Sequence, residues 1–476
     1  MLFPTIEFAL FFALVFPVTW LLNKYNTVKK WFLVAASYFF YTSWNASYSV
    51  ILLGSSLFNF ALALALGRLG DGPARRALLW LGIAGNLGLL GYFKYYDFFV
   101  ASAMNLMMSL GLPLDLRFIE IALPIAISFL TFHALSYIID VYQRKIPATR
   151  SLVDILLYIS FFPHLIAGPI VRAKAFLEQT VRSSSPNEVR LGLSVFLITG
   201  GLFKKVIVAN YLSTDFVDGV FRSPADFSRV DLLLGMYAYA IQIYCDFSAY
   251  TDIAIGVANL LGYRFPQNFN QPYRALTVRD FWRRWHMTLS SWLRDYLYIP
   301  LGGNRGGELV RCRNIMITMG LGGLWHGASS NFVVWGLLHG TALVVERRVR
   351  AELALALAFR GRAAVGGARL AHHVPLRVRD LGVLPLAFAR SRAGLFFRAR
   401  PRRHRLGHHH HAARRCDACG RGGDPDHARP LVRRLRGLLR PRFPGVQGGV
   451  AVSADLSHRD RGSRRRAALH LFPVLV

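Results

Sequence analysis

An all-α polytopic membrane protein is the fold class this sequence predicts, on three observations. Of 476 residues, 53% are hydrophobic and only 17% are charged, whereas soluble domains carry about 25% charged residues. Long apolar runs recur from the first residue onward, on the scale of the ~20 residues a helix needs to cross a ~30 Å hydrocarbon core. The net charge of +31 divides into +12 over residues 1–350 and +19 over residues 351–476. The first share is what loops obeying the positive-inside rule supply, so the basic balance argues for membrane topology and against nucleic-acid binding. Four cysteines in 476 residues cannot staple a disulfide framework.

Taken in order, Leu2–Leu22 is the first span, with Glu7 its only charge. No basic residue precedes it and no A-x-A-like site follows, so it is not read as a cleaved signal peptide. Lys24, Lys29 and Lys30 come next and place the N-terminus on the outer side. Trp31–Trp44 and Ser47–Leu66 form an out-and-back pair, and Arg68, Arg75 and Arg76 return the chain to the cytoplasm. Further runs lie at Ala77–Phe93, Phe118–Val141, Leu152–Val171, Leu191–Leu212, Leu232–Leu261 and Ile315–Val345, for about nine membrane segments before residue 350. Several are broken by Pro or Gly, so kinked or re-entrant helices are expected where protein covers the broken backbone.

Phe265–Gly307 is different: polar, aromatic and set between two strongly apolar segments. Trp282, Trp285, Leu289 and Trp292 follow helical spacing, with Arg283, Arg284 and Arg294 on the other sides. That pattern predicts one amphipathic helix lying at the membrane interface. A Trp/Arg interfacial anchor explains most of these residues equally well.

Residues 1–350 hold five histidines, His133, His164, His286, His326 and His339, all in or beside apolar segments. An ionisable group there is a functional candidate, although a hydrogen-bonded packing role is the common alternative. His326 stands in Gly320-Leu-Gly-Gly-Leu-Trp-His-Gly-Ala328, where glycines admit a ligand or another backbone close to the ring. They serve close helix packing equally well. His286 stands in Phe281-Trp-Arg-Arg-Trp-His286. A neutral imidazole can take a hydroxyl proton and return it to a leaving group. The residues alone support acyl transfer and proton-coupled transport about equally.

Asp246 and Asp252, in Tyr244-Cys-Asp-Phe-Ser-Ala-Tyr-Thr-Asp252, are costly in a membrane unless paired or wet. They either orient a histidine or substrate hydroxyl, or pair with Arg283 or Arg284 to hold the bundle, and the second role is favoured. His164, between two prolines in Phe162-Pro-His-Leu-Ile-Ala-Gly-Pro169, reads as structural in a broken helix. No Walker A, G-x-S-x-G or H-E-x-x-H motif is present. His408–His411 and Cys416-x-x-Cys419 lie among arginines without periodic structure, so no metal site is expected.

Four motifs occur in order: Tyr244-Cys-Asp-Phe-Ser-Ala-Tyr-Thr-Asp-Ile-Ala-Ile-Gly256, Phe281-Trp-Arg-Arg-Trp-His286, Tyr298-Ile-Pro-Leu-Gly-Gly-Asn-Arg305 and Gly323-Leu-Trp-His-Gly-Ala328. Together with Phe162–Pro169 they resemble the membrane-bound O-acyltransferase family, in its bacterial alginate O-acetyltransferase branch, over about residues 1–350. The teichoic acid D-alanylation branch resembles these motifs less. The resemblance implies a funnel-shaped multi-helix bundle in the cytoplasmic (inner) membrane, pierced by a channel where a cytoplasmic donor meets an acceptor. It implies His326 as the catalytic histidine and His286 as the second one, with no bound cofactor. It further implies acetyl-CoA as donor, exopolysaccharide hydroxyls as final acceptors, and as partners the membrane lipid around the chain and acyltransferase proteins in the periplasm. Joined to the chemistry above, His326 becomes the general base and Arg283, Arg284 and Arg294 become donor-phosphate ligands. The donor to the tetrahedral oxyanion is not identified by these motifs. A transporter or flippase, and a scaffold of an exopolysaccharide secretion complex, are the competing readings.

Residues 351–476 hold 26 arginines and no lysine, and no Ile, Asn, Tyr, Trp, Met or Thr. Codons for Lys, Asn, Ile and Tyr begin with two A/T bases, so their joint absence points to GC-rich DNA read out of frame. Phe survives and is the exception. The chain therefore divides into an acyltransferase domain over residues 1–350 and an Arg-rich tail over residues 351–476, expected to be disordered, with the frame changing near residues 350–370.

Overall fold

Helices make up every regular element among the described residues. In the computed structural model these are residues 1–112 and 122–366, with side chains described through residue 353. The tail beyond residue 366, with His408–His411 and Cys416, lies outside the described residues, as does the start of the run expected at Phe118.

α1 (Ile6–Leu21) starts where the Thr5 hydroxyl accepts from the Phe8 amide, a side-chain cap for one of the free N-terminal amides. α2 (Asn26–Thr42) begins before the expected Trp31 and takes Lys29 and Lys30, expected in a loop, into the helix as buried residues; α3 (Ala46–Arg68) follows. α4 (Pro73–Leu90) begins on a proline, whose missing N–H has no role in a first turn. It passes through a π-turn at Gly91–Tyr95 into α5 (Tyr96–Ser109). The run expected at Ala77–Phe93 is thus part of a longer helical stretch, Pro73–Ser109. Between α3 and α4, Arg144 and Arg75 donate to Asp71 and hold its carboxyl below the ordinary aspartate range. The Asp71 side chain is largely exposed, so this network adds little stability.

α6 (Ile127–Tyr142) is buried along nearly its whole length. The run Leu152–Val171 is broken: α7 (Leu152–Ser160) stops, and α8 (Phe162–Leu165) restarts at Pro163. His164 is fully buried there, its Nε2 bonded to the Tyr158 carbonyl at 2.9 Å and its ring 4.4 Å from that of His133. After α9 (Ala173–Thr180), one helical stretch contains α10 (Leu191–Leu202), α11 (Asn210–Leu212) and α12 (Asp218–Arg222), joined by π-turns at Phe203–Ala209 and Ser213–Val217. α13 (Arg229–Leu260) opens on a capping box between Ser228 and Asp231.

Ile6–Lys24, Ala46–Arg68, Pro73–Ser109 and Leu191–Arg222 are long and apolar enough to cross a bilayer. The chain is a helical membrane protein.

The pairing expected for the α13 carboxylates is corrected. Lys205 binds Asp246 and Lys204 binds Asp252; neither carboxylate meets Arg283 or Arg284. The π-turn carrying both lysines packs along α13, which sets each ammonium opposite a carboxylate. Pairing is what makes such charges tolerable in an apolar bundle.

The single amphipathic helix expected across Trp282–Trp292 is also corrected. α14 (Val278–Arg284) and α15 (Met287–Leu293) are separate, and a π-turn over Arg294–Tyr298 follows. The break is His286, at φ +40°, a left-handed conformation uncommon outside glycine, though His, Asn and Asp adopt it more often than most residues. α16 (Gly307–His326) and α17 (Ser330–Gly366) divide the last apolar run.

Candidate active site

Two local events place His326. α16 ends on it, because Gly327 turns extended and stops the helix. The short link to Ser330 then returns the chain as α17, which packs antiparallel against α16. The far end of this hairpin is tied by Glu308, which accepts from Arg347 at 2.8 Å and from Arg311 at 2.8 Å. The Arg347 hydrogen bond holds the Glu308 carboxyl below the ordinary glutamate range. Near His326 the two backbones cross closely. A Cβ on Gly323 would fall on the Phe332 carbonyl and 2.9 Å from the Gly336 Cα, and one on Gly336 would fall on the Met319 carbonyl. Glycine is required at both positions by the approach itself.

The crossing sets His326 against α17 aromatics. Its ring lies edge-on to Trp335, with centroids 5.0 Å apart, and 6.2 Å from Phe332. His339 follows one turn later, 4.5 Å from Trp335 and 5.3 Å from Trp282. His326 opens into a cavity of about 310 Å³, at the small end of ligand pockets, which run ~300–1,000 Å³. Leu289, Leu293, Ile315, Met319 and Trp335 give it apolar walls, and Arg279, Arg283 and Arg294 add cationic groups. Such a space suits the reactive end of a molecule whose anionic part rests on arginines.

The other expected site residues separate. His286 is fully buried and does not line the cavity. Its Nδ1 faces Asn268 Oδ1 at 3.1 Å, and that oxygen also accepts from the Thr288 amide and hydroxyl at 3.2 and 2.8 Å. An amide oxygen only accepts, so Nδ1 carries the proton and Nε2 keeps its lone pair. Among the described residues, that Nε2 is buried without a partner. Trp325 adjoins both histidines, its ring centroid 6.0 Å from that of His286 and 4.9 Å from that of His326. Arg283 lines the cavity, whereas Arg284 is turned to Asp280 and the Asn270 carbonyl. Arg294 lines it while donating to Asp295 at 2.7 Å. Asp246 and Asp252 are not among its walls.

Sequence reasoning missed Arg279, Asn268 and Trp335. Arg279 sits four residues before Arg283, the helical spacing that puts two cations on one face. That signal was readable; the Asn268 contact, made from a loop, was not.

A helical membrane protein with a histidine lining an apolar, arginine-edged cavity is the class that fold and site define. The model of the MBOAT, membrane-bound O-acyltransferase family matches residues 141–364, which hold α7 to α17. Over these residues the chain is similar to this family. It is 44% identical over 321 residues to the probable alginate O-acetylase AlgI of Pseudomonas aeruginosa, covering 66% of this chain and 60% of that protein. It is 40% identical over 344 residues to the peptidoglycan O-acetyltransferase of Helicobacter pylori, covering 67% and 64% respectively. To the teichoic acid D-alanyltransferase of Bacillus subtilis it is 30% identical over 230 residues, covering 46% and 58%. The chain thus spans less than two thirds of the length of these relatives.

Proposed function

We propose that this chain is a membrane O-acyltransferase that takes an acetyl group from acetyl-CoA at the cytoplasmic face of the inner membrane. The group passes toward hydroxyls of an exopolysaccharide, alginate or a similar polymer, through periplasmic acyltransferase partners. The observation that carries the reading is the placement of His326 in the arginine-edged cavity. Similarity to proteins named as alginate O-acetylases and a peptidoglycan O-acetyltransferase supports the acetyl group and the glycan acceptor.

In this reading His326 is the general base. It takes the acceptor hydroxyl proton as the oxygen attacks the thioester carbonyl. Collapse of the tetrahedral intermediate breaks the C–S bond, and the imidazolium returns its proton to the leaving thiolate. The products are the acetyl ester and the free thiol. His286, with Nε2 unprotonated, assists from behind Trp325 by holding the local hydrogen bonding in one arrangement. The apolar walls exclude water that would otherwise hydrolyse the thioester. Arg279, Arg283 and Arg294 hold the donor phosphates, for which guanidinium forks are suited. Release of thiol from labelled acetyl-CoA, with transfer of label and dependence on His326, tests the reading.

Arg279→Ala and Arg283→Ala are expected to raise the donor KM about tenfold each with kcat little changed, since one charge-assisted contact is lost. Steady-state kinetics on purified protein checks this. If the substitutions lower only the amount of folded protein, the arginines are interfacial anchors.

The acyltransferase domain, on this account, covers residues 1–350, and the 351–476 tail is the product of a frame change. The family match runs to residue 364, which supports a break within residues 350–370. Reading the tail's nucleotides in the other two frames is expected to restore long hydrophobic segments. If neither frame encodes them and the tail resists protease, the tail is genuine sequence with a function of its own.

A further inference from the structure

The last four carbonyls of an α-helix have no partner within the helix. α16 ends at His326, so these are the carbonyls of the turn that carries the proposed base. Two of them are met from a distant part of the chain. Lys94 Nζ donates to the Trp325 carbonyl at 2.6 Å, and the Tyr95 hydroxyl donates to the Leu324 carbonyl at 3.0 Å. Both residues belong to the π-turn Gly91–Tyr95. Neighbouring residues on a regular helix point about 100° apart. The wider π-turn lessens that divergence, which lets two consecutive side chains reach the same helix end; such turns recur at functional sites.

Lys94 is anchored on its other side as well. Its ammonium donates to Ser128 Oγ at 3.1 Å, in the first turn of α6, and stands 5.8 Å from the Trp325 ring centroid. The residue is 8% exposed. A buried ammonium is costly in an apolar bundle, and here it meets the negative end of the α16 dipole. A tyrosine or serine alone would satisfy a carbonyl without that cost. The charge adds a strong, directional hold on the final turn, where helices otherwise fray.

We propose that Lys94, with Tyr95 beside it, is a positioning residue for the acyl-transfer reaction: it locks the last turn of α16 and so aims the His326 imidazole into the cavity. It acts through the backbone of residues 324 and 325. The inference rests on the proposed role of His326 as base.

The test uses the full chain, purified from membranes, with acetyl-CoA as donor. Lys94→Met keeps the length of the side chain and removes its charge. It is expected to lower kcat at least about tenfold, because misplacing a catalytic group by ~1 Å costs about 10²-fold. Donor KM stays near wild type, the thermal midpoint falls because the buried Trp325 carbonyl loses its donor, and Lys94→Arg recovers most of kcat per folded molecule. In a His326→Ala background Lys94→Met has no further effect, since residues acting as one unit are not additive. Should Lys94→Met fail to fold, Tyr95→Phe carries the same test by removing one hydroxyl, with a smaller loss of kcat expected. A wild-type kcat per folded molecule in an enzyme that His326→Ala inactivates overturns this inference alone, as does a full additional loss in the His326→Ala background. Normal turnover by His326→Ala overturns the proposed function, and the positioning role with it.

Discussion

His326→Ala is expected to lower acetyl transfer by about 10²–10⁴-fold, the usual worth of a general base, while the protein reaches the membrane at its normal level. Nothing in the packing argues for a large stability loss. The ring keeps part of its surface open to the cavity, and it packs against the aromatic rings of Trp325, Phe332 and Trp335. Removing the imidazole enlarges an existing cavity instead of leaving a buried polar group without its partner. Acetylation of polymer in cells, measured beside membrane abundance, separates the two effects. Transfer near the wild-type rate would remove His326 from the mechanism.

Gly336→Ala is expected to act through the fold, and nearly as severely. One methyl group there meets the Met319 carbonyl and stands 3.0 Å from the Gly323 Cα. Backbone cannot rotate away as a side chain does, so the α16–α17 crossing has to open. Overpacking of this kind costs about 1–3 kcal/mol, and it parts His326 from Trp335 as well. Both the thermal midpoint and kcat should fall. Gly88→Ala serves as the control, because a Cβ there meets nothing within 4 Å, and its midpoint should hold. Equal behaviour of the two variants would show that the crossing is looser than the geometry says.

The fold class was legible because the apolar runs and their interruptions are local properties. Pro163 and Pro169 flagged the broken helix around His164, and the α7–α8 break lies there. The glycines around His326 flagged close backbone approach, and Gly323 makes one. What stayed hidden was set by tertiary placement. Trp282, Trp285, Leu289 and Trp292 keep helical spacing across a point where His286 reverses the backbone, and no glycine or proline marks it. Asp246 and Asp252 have arginines nearby in the sequence, yet they take lysines 41 and 48 residues away because two helices run side by side. Lys94 directly follows the apolar run Ala77–Phe93 and lies 231 residues from the carbonyl it binds. Coulomb attraction and hydrogen bonding choose partners by distance in space, which hydrophobic periodicity does not encode.

Single-turnover transfer on purified wild type and His326→Ala, with donor affinity measured on the same samples, bears most directly on the claim that His326 performs the chemistry within the arginine-edged cavity. The account predicts that the variant binds acetyl-CoA with wild-type affinity and transfers its acetyl group at least about 100-fold more slowly. A wild-type single-turnover rate, or a loss explained wholly by weaker donor binding, would contradict it.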